Sequence, residues 1–225
     1  MSLAGVSPLA AEVKVLAHGA DHALSDLRFR ALLSDEKWDQ LPWRIRRRFS
    51  KRLSAGDTAI YIGEIVEAYL SKAGWLLAHG LRLIGGPLPT SRDVNVSTVV
   101  SVTEDMRTGG QIWTRLYARR KGFPQIIHSA KRFEGSTGLE EYIGFGIGMR
   151  LRVDVQDAAM VFRSAGYFLQ ILHSRFSLPA WAAPGEMSIT HAELEDGGFR
   201  FTLEVVHPWF GTLVRQSCIF RDANA

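Results

Sequence analysis

The stretch VNVSTVVSVTEDMRTGGQIWTRLYAR, residues 94–119, decides the fold that the sequence predicts. Over residues 94–102, valine or threonine alternates with mostly polar residues, and this period of two is typical of a strand with one buried face. Residues 108–110, Thr-Gly-Gly, are typical of a tight turn, and residues 111–119 follow as a second strand. The stretch therefore predicts a β-hairpin.

The chain after this hairpin continues as short apolar runs separated by turn residues. Strands are predicted at residues 125–133, 139–145, 148–155, 159–163, 166–176, 187–194, 199–206 and 211–220. Because no helix separates them, we expect the strands to pair antiparallel. So many antiparallel strands twist and curl, and a curled sheet has an inside that either side chains or an apolar ligand can fill.

The chain before residue 89 is predicted to be mainly helical. Helices are predicted at residues 9–16, 26–34, 38–53 and 67–83, with one β-like run at 59–66. The fold class is therefore α+β, with N-terminal helices packed on a large curled antiparallel β-sheet or partly open barrel. We expect a single domain over residues 1–225, mainly helical over 1–88 and an antiparallel sheet over 89–225.

Composition and charge bound the class of protein. The 225 residues are 46% apolar and 22% charged, which is typical of a globular chain. The lone cysteine, Cys218, excludes an internal disulfide and any zinc site built on cysteines. The net charge of +4 permits an anionic partner without requiring one. No stretch predicts a membrane-spanning helix or a targeting signal, so we expect a cytoplasmic protein.

Six segments of the chain, in their order and spacing, resemble the bacterial family known as domain of unknown function 4166. They are LPWRIRRRF (41–49), GPLPTSRDVNVSTVVSV (86–102), IWTRLY (112–117), GLEEYIGFGIGMRLRV (138–153), SLPAWAAPG (177–185) and GGFRFTLEVVHPWFGTLVRQ (197–216). The resemblance implies a bacterial source and no known activity. Members of that family stand alone or follow a reductase domain similar to saccharopine dehydrogenase, which implies a reductase partner. The chain has no Gly-x-Gly-x-x-Gly after a strand, so we expect no nicotinamide or other cofactor.

One face of the strand at 111–119 carries the candidate ligand site. Residues two apart on a strand share a face, so Trp113 and Arg115 point the same way, together with Gln111 and Tyr117. These side chains could grip the carboxylate or phosphate of a ligand while an apolar wall holds its body. Alternatively, Arg115 pairs with a glutamate of a neighbouring strand and Trp113 is a core residue. The residues predicted to bind a ligand are Trp113, Arg115, Tyr117, Glu140 and Arg152.

Glu140 and His128 are the candidate acid or base residues. A carboxylate near apolar residues can have a raised pKa and exchange protons at neutral pH. Because Glu140 and Glu141 are adjacent on a strand, only one of them can face inward, and a structural salt bridge is the alternative role. His18 and His22 have helical spacing but no evident third ligand, so we expect no metal site.

A basic run precedes residue 53 and is the densest charge feature of the chain. Its members are Arg44, Arg46, Arg47, Arg48, Lys51 and Arg52. This helix could lie on an anionic membrane surface or grip nucleic-acid phosphates. A solvated helix face explains the same residues. Because no second long basic stripe occurs, the sequence disfavours nucleic acid.

Three functional hypotheses follow from these patterns. The first is a domain that binds a hydrophobic or lipid-like small molecule in a cavity of the curled sheet. The second is a cofactor-independent cyclase or isomerase that acts on a hydrophobic metabolite through an inward Glu140 or His128. The third is a peripheral membrane or interaction module that uses the basic helix at 41–53.

Overall fold

The computed structural model of the protein describes residues 26–51, 53, 57–172 and 174–223. Its α-helices are α1 (Asp35–Asp39), α2 (Trp43–Phe49) and α3 (Lys72–Gly80). Single turns of 3-10 helix occur at Arg30–Leu32, Leu81–Ile84 and Ala180–Ala182. The helix predicted at residues 9–16 lies outside the described residues.

Strands make up most of the described chain. They are β1 (Thr58–Leu70), β2 (Val96–Asp105), β3 (Gly110–Tyr117), β4 (Gln125–Arg132), β5 (Glu140–Gly144), β6 (Ile147–Gln156), β7 (Ala159–Ile171), β8 (Ser174–Ser177), β9 (Glu186–Glu193), β10 (Phe199–His207) and β11 (Gly211–Asp222). The hairpin predicted at residues 94–119 is β2 and β3, paired antiparallel from Thr98 with Tyr117 to Asp105 with Gly110.

Ten of these strands close into a barrel. They lie in the order β6-β5-β4-β3-β2-β1-β11-β10-β9-β7, each antiparallel to its neighbours, and the pairing of β7 with β6 completes the ring. The short β8 extends the wall beside the C-terminal part of β7. The predicted class of N-terminal helices packed on a large curled antiparallel sheet is confirmed; the described helices are few and short, and the barrel is closed rather than partly open. The prediction of a single domain stays a prediction.

β1 extends further than the sequence indicates. The helix predicted at 67–83 begins only at residue 72, because residues 67–70 instead pair with residues 214–217 of β11 beyond a β-bulge. Ser71 then caps α3, where its hydroxyl accepts a hydrogen bond of 3.0 Å from the backbone N–H of Gly74. A Cβ on Gly74 would lie 2.0 Å from the carbonyl oxygen of Leu213. The absence of a side chain therefore lets α3 lie directly on β11.

The single helix predicted at 38–53 is two short helices. Pro42, which has no N–H to donate, stands immediately before α2 and separates it from α1. The apolar stripe that predicted the helix is nevertheless buried, and its members are Trp38, Leu41, Ile45, Phe49 and Leu53. The conformation of this segment is therefore determined by packing of the apolar stripe against the rest of the protein, and not by one continuous helix.

The connections between strands alternate between the two ends of the barrel. One end, the α2 end, carries residues 26–51, 53 and 57 and the turns 106–109, 133–139, 157–158 and 194–198. The other end, the proline end, carries the connections 71–95, 118–124, 145–146, 178–185 and 208–210, together with Leu172. At the α2 end Phe29 and Phe49 pack on Phe162 inside the barrel. At the proline end Leu81 and Leu88 face the interior.

Candidate functional site

The inner face of β3 positions the candidate site. Gln111, Trp113, Arg115 and Tyr117 all line the barrel interior, whereas Ile112, between the first two, is exposed. The alternation along the strand predicted that these four side chains share one face. Cross-strand pairing places Ser129 of β4 directly opposite Trp113, so the polar side chains of β3 and β4 meet inside the barrel.

Four buried side chains form what we call the interior ion cluster: Arg115, Ser129, Lys131 and Glu141. Lys131 Nζ lies 2.9 Å from one carboxylate oxygen of Glu141, and Arg115 Nη2 lies 3.5 Å from the other. Arg115 Nη1 donates a hydrogen bond of 3.0 Å to the hydroxyl of Ser129. The cluster therefore joins β3, β4 and β5 from within the barrel.

Trp113 forms the aromatic side of the cluster. Lys131 Nζ lies 4.9 Å from the centre of the indole ring, within the range of a cation–π contact. The indole N–H of Trp113 donates a hydrogen bond of 3.2 Å to the side-chain oxygen of Gln111. Indole fluorescence should consequently report changes at the cluster.

The ionisation of Glu141 is set by its two cationic neighbours. Burial alone would raise the pKa of this carboxyl, but the charges of Lys131 and Arg115 outweigh burial and lower the pKa to about 2. Burial lowers the pKa of Lys131, and the carboxylate of Glu141 opposes that shift. Glu141 is thus held as an anion at neutral pH.

When Lys131 is protonated, the interior ion cluster has one more cation than anion. Among the ion pairs of the described residues, Glu141 is the one carboxylate that reaches either Arg115 or Lys131. With Lys131 protonated, two positive charges face a single negative charge where each side chain is less than a tenth exposed. An unpaired buried charge is costly, so this arrangement favours a further anion.

Two apolar lobes of the interior meet at Arg115, Tyr117 and Phe201. The α2 lobe, toward α2, has a cavity volume of about 40 Å³. The proline lobe, toward the other end, has a cavity volume of about 70 Å³. The α2 lobe is walled mainly by aromatic and aliphatic side chains, which include Phe49, Tyr61, Val100, Phe199 and Phe220. The proline lobe is walled by a similar set, which includes Leu88, Ile127, Met149, Tyr167, Met187 and Leu203.

A second buried polar pair lies in the α2 lobe. Arg48 Nη1 lies 2.8 Å from His191 Nε2, and the guanidinium sits over the ring of Phe199. Burial and then the charge of Arg48 hold the pKa of His191 well below its ordinary value. The imidazole is therefore neutral at pH 7 and accepts the arginine's hydrogen bond. Arg48 is also paired with Glu193 at 3.4 Å, so its charge is compensated.

The sequence of this barrel also determines its family. Residues 41–220 match the family described as Domain of unknown function (DUF4166). The chain belongs to the DUF4166 family. No curated protein and no solved structure matches it.

Glu140 faces away from the interior of the DUF4166 barrel. It is fully buried, but on the outer side of the wall, where Arg175 of β8 lies 3.0 Å from its carboxylate. Tyr142, on the same face, donates to it as well. The expectation of an inward Glu140 is therefore wrong, and the neighbouring Glu141 takes the inward position.

His128 and Arg152 also lie on the outer surface. His128 is exposed and its Nδ1 lies 3.0 Å from the hydroxyl of Thr114. Arg152 is exposed on β6, and its two neighbours along the strand are buried or half-buried. The structure therefore does not place the His128 side chain inward as an acid or base, although His128 also borders the proline lobe, and the ligand-binding role of Arg152 stays a prediction. Trp113, Arg115 and Tyr117 are the predicted binding residues that the structure brings together.

Three arginines of the basic run form ion pairs within the molecule. Arg44 and Arg48 reach Glu193, and Arg46 reaches Asp39 at 3.1 Å. Arg47 and Lys51 are exposed, and Arg52 lies outside the described residues. Arg48 in fact points toward the α2 lobe. Part of this basic run is thus paired within the molecule, and its role at an anionic surface stays a prediction.

Two interior residues, Lys131 and His191, were not placed inside the barrel by the sequence-based predictions. Lys131 follows Ile127 and Ser129 at steps of two, so alternation along β4 would have placed it inside the barrel. His191 follows Met187 and Ile189 in the same way. A lysine in an apolar alternation is a signal that could have been read, but its partner Glu141 depends on the strand register.

Two further findings concern metals and membranes. Across the described ranges, no group of three or more His, Cys, Asp or Glu side chains is placed to hold a metal ion. His18 and His22 lie outside those ranges. No helix in the described part of the chain is long and apolar enough to cross a membrane.

Proposed function

We propose that the protein binds a hydrophobic or lipid-like small molecule inside the barrel, with one anionic group of that molecule at the interior ion cluster. The observation that carries this proposal is the pairing of apolar lobes with a buried surplus of one positive charge. A carboxylate or phosphate placed beside Arg115 and Lys131 would restore the balance of charge. The apolar body of the ligand would then extend along the aromatic walls.

The volumes of the lobes restrict the ligand. A single water needs about 10–15 Å³ of such space, so cavities of 40 and 70 Å³ admit only a few water-sized groups in this conformation. A longer chain must pass between the lobes, which requires Tyr117 or Phe201 to change rotamer. We therefore propose a compact or slender amphipathic anion rather than a bulky lipid.

The test is a titration with matched pairs of small amphiphiles. Hexanoate, octanoate and decanoate are compared with hexanol, octanol and decanol, and the melting temperature is followed by tryptophan fluorescence. Saturation to about 100 times Kd should stabilise the fold by about 2.7 kcal/mol, which corresponds to a rise of roughly 5–10 °C for a chain of this size. The carboxylates should act at lower concentrations than the alcohols.

Two variants locate the binding site in this titration. Lys131→Met removes the surplus charge and should abolish the preference for carboxylate over alcohol. Arg152→Met removes an exposed arginine from the outer wall and should leave the preference unchanged. If no amphiphile raises the melting temperature of the unmodified protein, the proposal of an interior ligand is wrong. If alcohols and carboxylates act equally, the proposed role of the cluster is wrong while the apolar cavity stands.

A further inference from the structure

The proline end of the barrel exposes a ring of large apolar side chains. Eight of them are between 62% and 91% exposed, and all lie on the connections of this end: Leu76, Leu83, Phe123, Phe145, Leu172, Trp181, Trp209 and Phe210. At the opposite end, Met106 is the one described large apolar side chain with comparable exposure. The asymmetry follows from topology, because alternate turns of an antiparallel barrel share an end.

These side chains lie on separate connections that the backbone brings together. The backbone of Gly85 lies against Ile143 and Gly144, so the segment of Leu83 meets the turn of Phe145. The carbonyl oxygen of Gln170, two residues before Leu172, lies against Gly146, and the N–H of Gln170 donates a hydrogen bond to the carbonyl of Gly146. The Leu172 segment therefore lies beside the turn of Phe145. On the other side Gly185 packs against Val206, which joins the Trp181 segment to the turn of Trp209.

The charge of the same end is strongly positive. The connections at this end contain six basic residues: Lys72, Arg82, Arg92, Arg119, Arg120 and Lys121. The same connections contain one acidic residue, Asp93. Five of the six basic side chains are exposed and Arg119 is half-buried. The α2 end, by contrast, mixes both signs and pairs many of them, as in Arg46 with Asp39.

We infer that the proline end docks on an anionic lipid bilayer. Tryptophan, phenylalanine and leucine at loop tips enter the boundary between headgroups and acyl chains, and nearby arginines and lysines bind anionic headgroups. Separate apolar tips interleaved with cations suit a fluid, negatively charged surface. A protein partner would instead be expected to meet one contiguous patch with a mixed polar rim. The surface is distinct from the basic run that contains α2, where Arg44, Arg46 and Arg48 form ion pairs within the molecule.

Docking in this orientation places the proline lobe next to the bilayer. Pro87, Pro89 and Pro184, which line that lobe, belong to the same connections as the exposed ring. If the proposed function holds, a lipid-like ligand would pass between the membrane and the barrel at this end. The docking surface itself does not depend on any interior ligand.

The experiment is flotation of the full chain with vesicles of 70% phosphatidylcholine and 30% phosphatidylserine, beside vesicles of phosphatidylcholine alone. We expect binding to the anionic vesicles that weakens steeply as salt rises from 50 to 500 mM. Arg120→Gln with Lys121→Gln should weaken binding about 30-fold, since each cation near such a surface contributes about a factor of five. Phe123→Ser should weaken it roughly tenfold.

Matched controls come from the opposite end. Met106→Ser removes an equally exposed apolar side chain, and Arg47→Gln with Arg107→Gln removes two exposed cations. These variants should bind as the unmodified protein does. Failure of the full chain to float with anionic vesicles would overturn the inference, as would equal losses in both sets of variants. Concentration-dependent self-association that Phe123→Ser abolishes, without vesicle binding, would assign the face to a second copy and also overturn it.

Discussion

Replacing Glu141 by glutamine should destabilise the barrel far more than replacing Lys131 by methionine. Glu141 is 3% exposed and serves both Lys131 at 2.9 Å and Arg115 at 3.5 Å. Without the carboxylate, two buried cations lose their partner, and breaking a buried pair in this way costs about 3–5 kcal/mol of unfolding free energy. In Lys131→Met the carboxylate keeps Arg115, so the expected cost is below about 2 kcal/mol.

The pKa of Glu141 gives an independent magnitude for the same effect. The folded pKa of about 2 lies below the ordinary value of 4.5. Because the folded value is depressed, the stabilisation is present above pH 4.5 and is lost as the pH falls toward 2. At about 1.4 kcal/mol for each pH unit, this difference corresponds to roughly 3 kcal/mol of unfolding free energy.

The assay is urea unfolding followed by tryptophan fluorescence at pH 7 and at pH 3. The unmodified protein should lose stability at pH 3, and Glu141→Gln should lose much less because its carboxylate is already absent. Glu64→Gln, on the exposed face of β1, is the matched control and should change the unfolding free energy by less than about 0.5 kcal/mol. If Lys131→Met costs as much as Glu141→Gln, the cluster has no surplus positive charge and the reasoning is refuted.

Two further predictions concern packing and pH. Gly74→Ala should lower the unfolding free energy by about 1–3 kcal/mol, because the new Cβ would meet the backbone of Leu213. Gly80→Ala, in the same helix, has open space around the new Cβ and should not lower it. Equal effects of the two variants in urea unfolding would contradict the packing of α3 on β11. Since burial depresses the folded pKa of His191, the unfolded chain binds more protons below about pH 6.5 and stability should fall as the pH drops from 7 to 5. His191→Phe should flatten that dependence, and an unchanged slope would show that another group is responsible.

The strand pattern was readable from the sequence because one face of each strand is buried. Alternation of apolar and polar residues marked β2 and β3, and it placed Trp113, Arg115 and Tyr117 on a common face that proved to be the inner one. Closure of the barrel could not be read, since it depends on the pairing of β1 with β11, the first and last strands of the described chain. The prediction of a helix at 67–83 was wrong over residues 67–70, because the pairing of these residues with β11 overrides helix propensity.

The candidate site was predicted in part. Adjacent glutamates on a strand must face opposite sides, but the choice between Glu140 and Glu141 depends on register, which the sequence does not determine. The basic run looked like a binding surface because its partners, Glu193 and Asp39, are not recognisable as partners without the fold. The exposed apolar residues at the proline end were not recognised as a group, because they are scattered over six connections of the chain.

The most direct test of an interior ligand is to identify what the folded protein carries. The protein is purified under native conditions from a bacterial host, then denatured, and the released small molecules are identified by mass spectrometry, with Lys131→Met purified in parallel. We expect a hydrophobic molecule with one acidic group, recovered near one per chain from the unmodified protein and depleted in Lys131→Met. A protein that releases no such molecule, and whose melting temperature no alkyl carboxylate raises, would contradict this expectation.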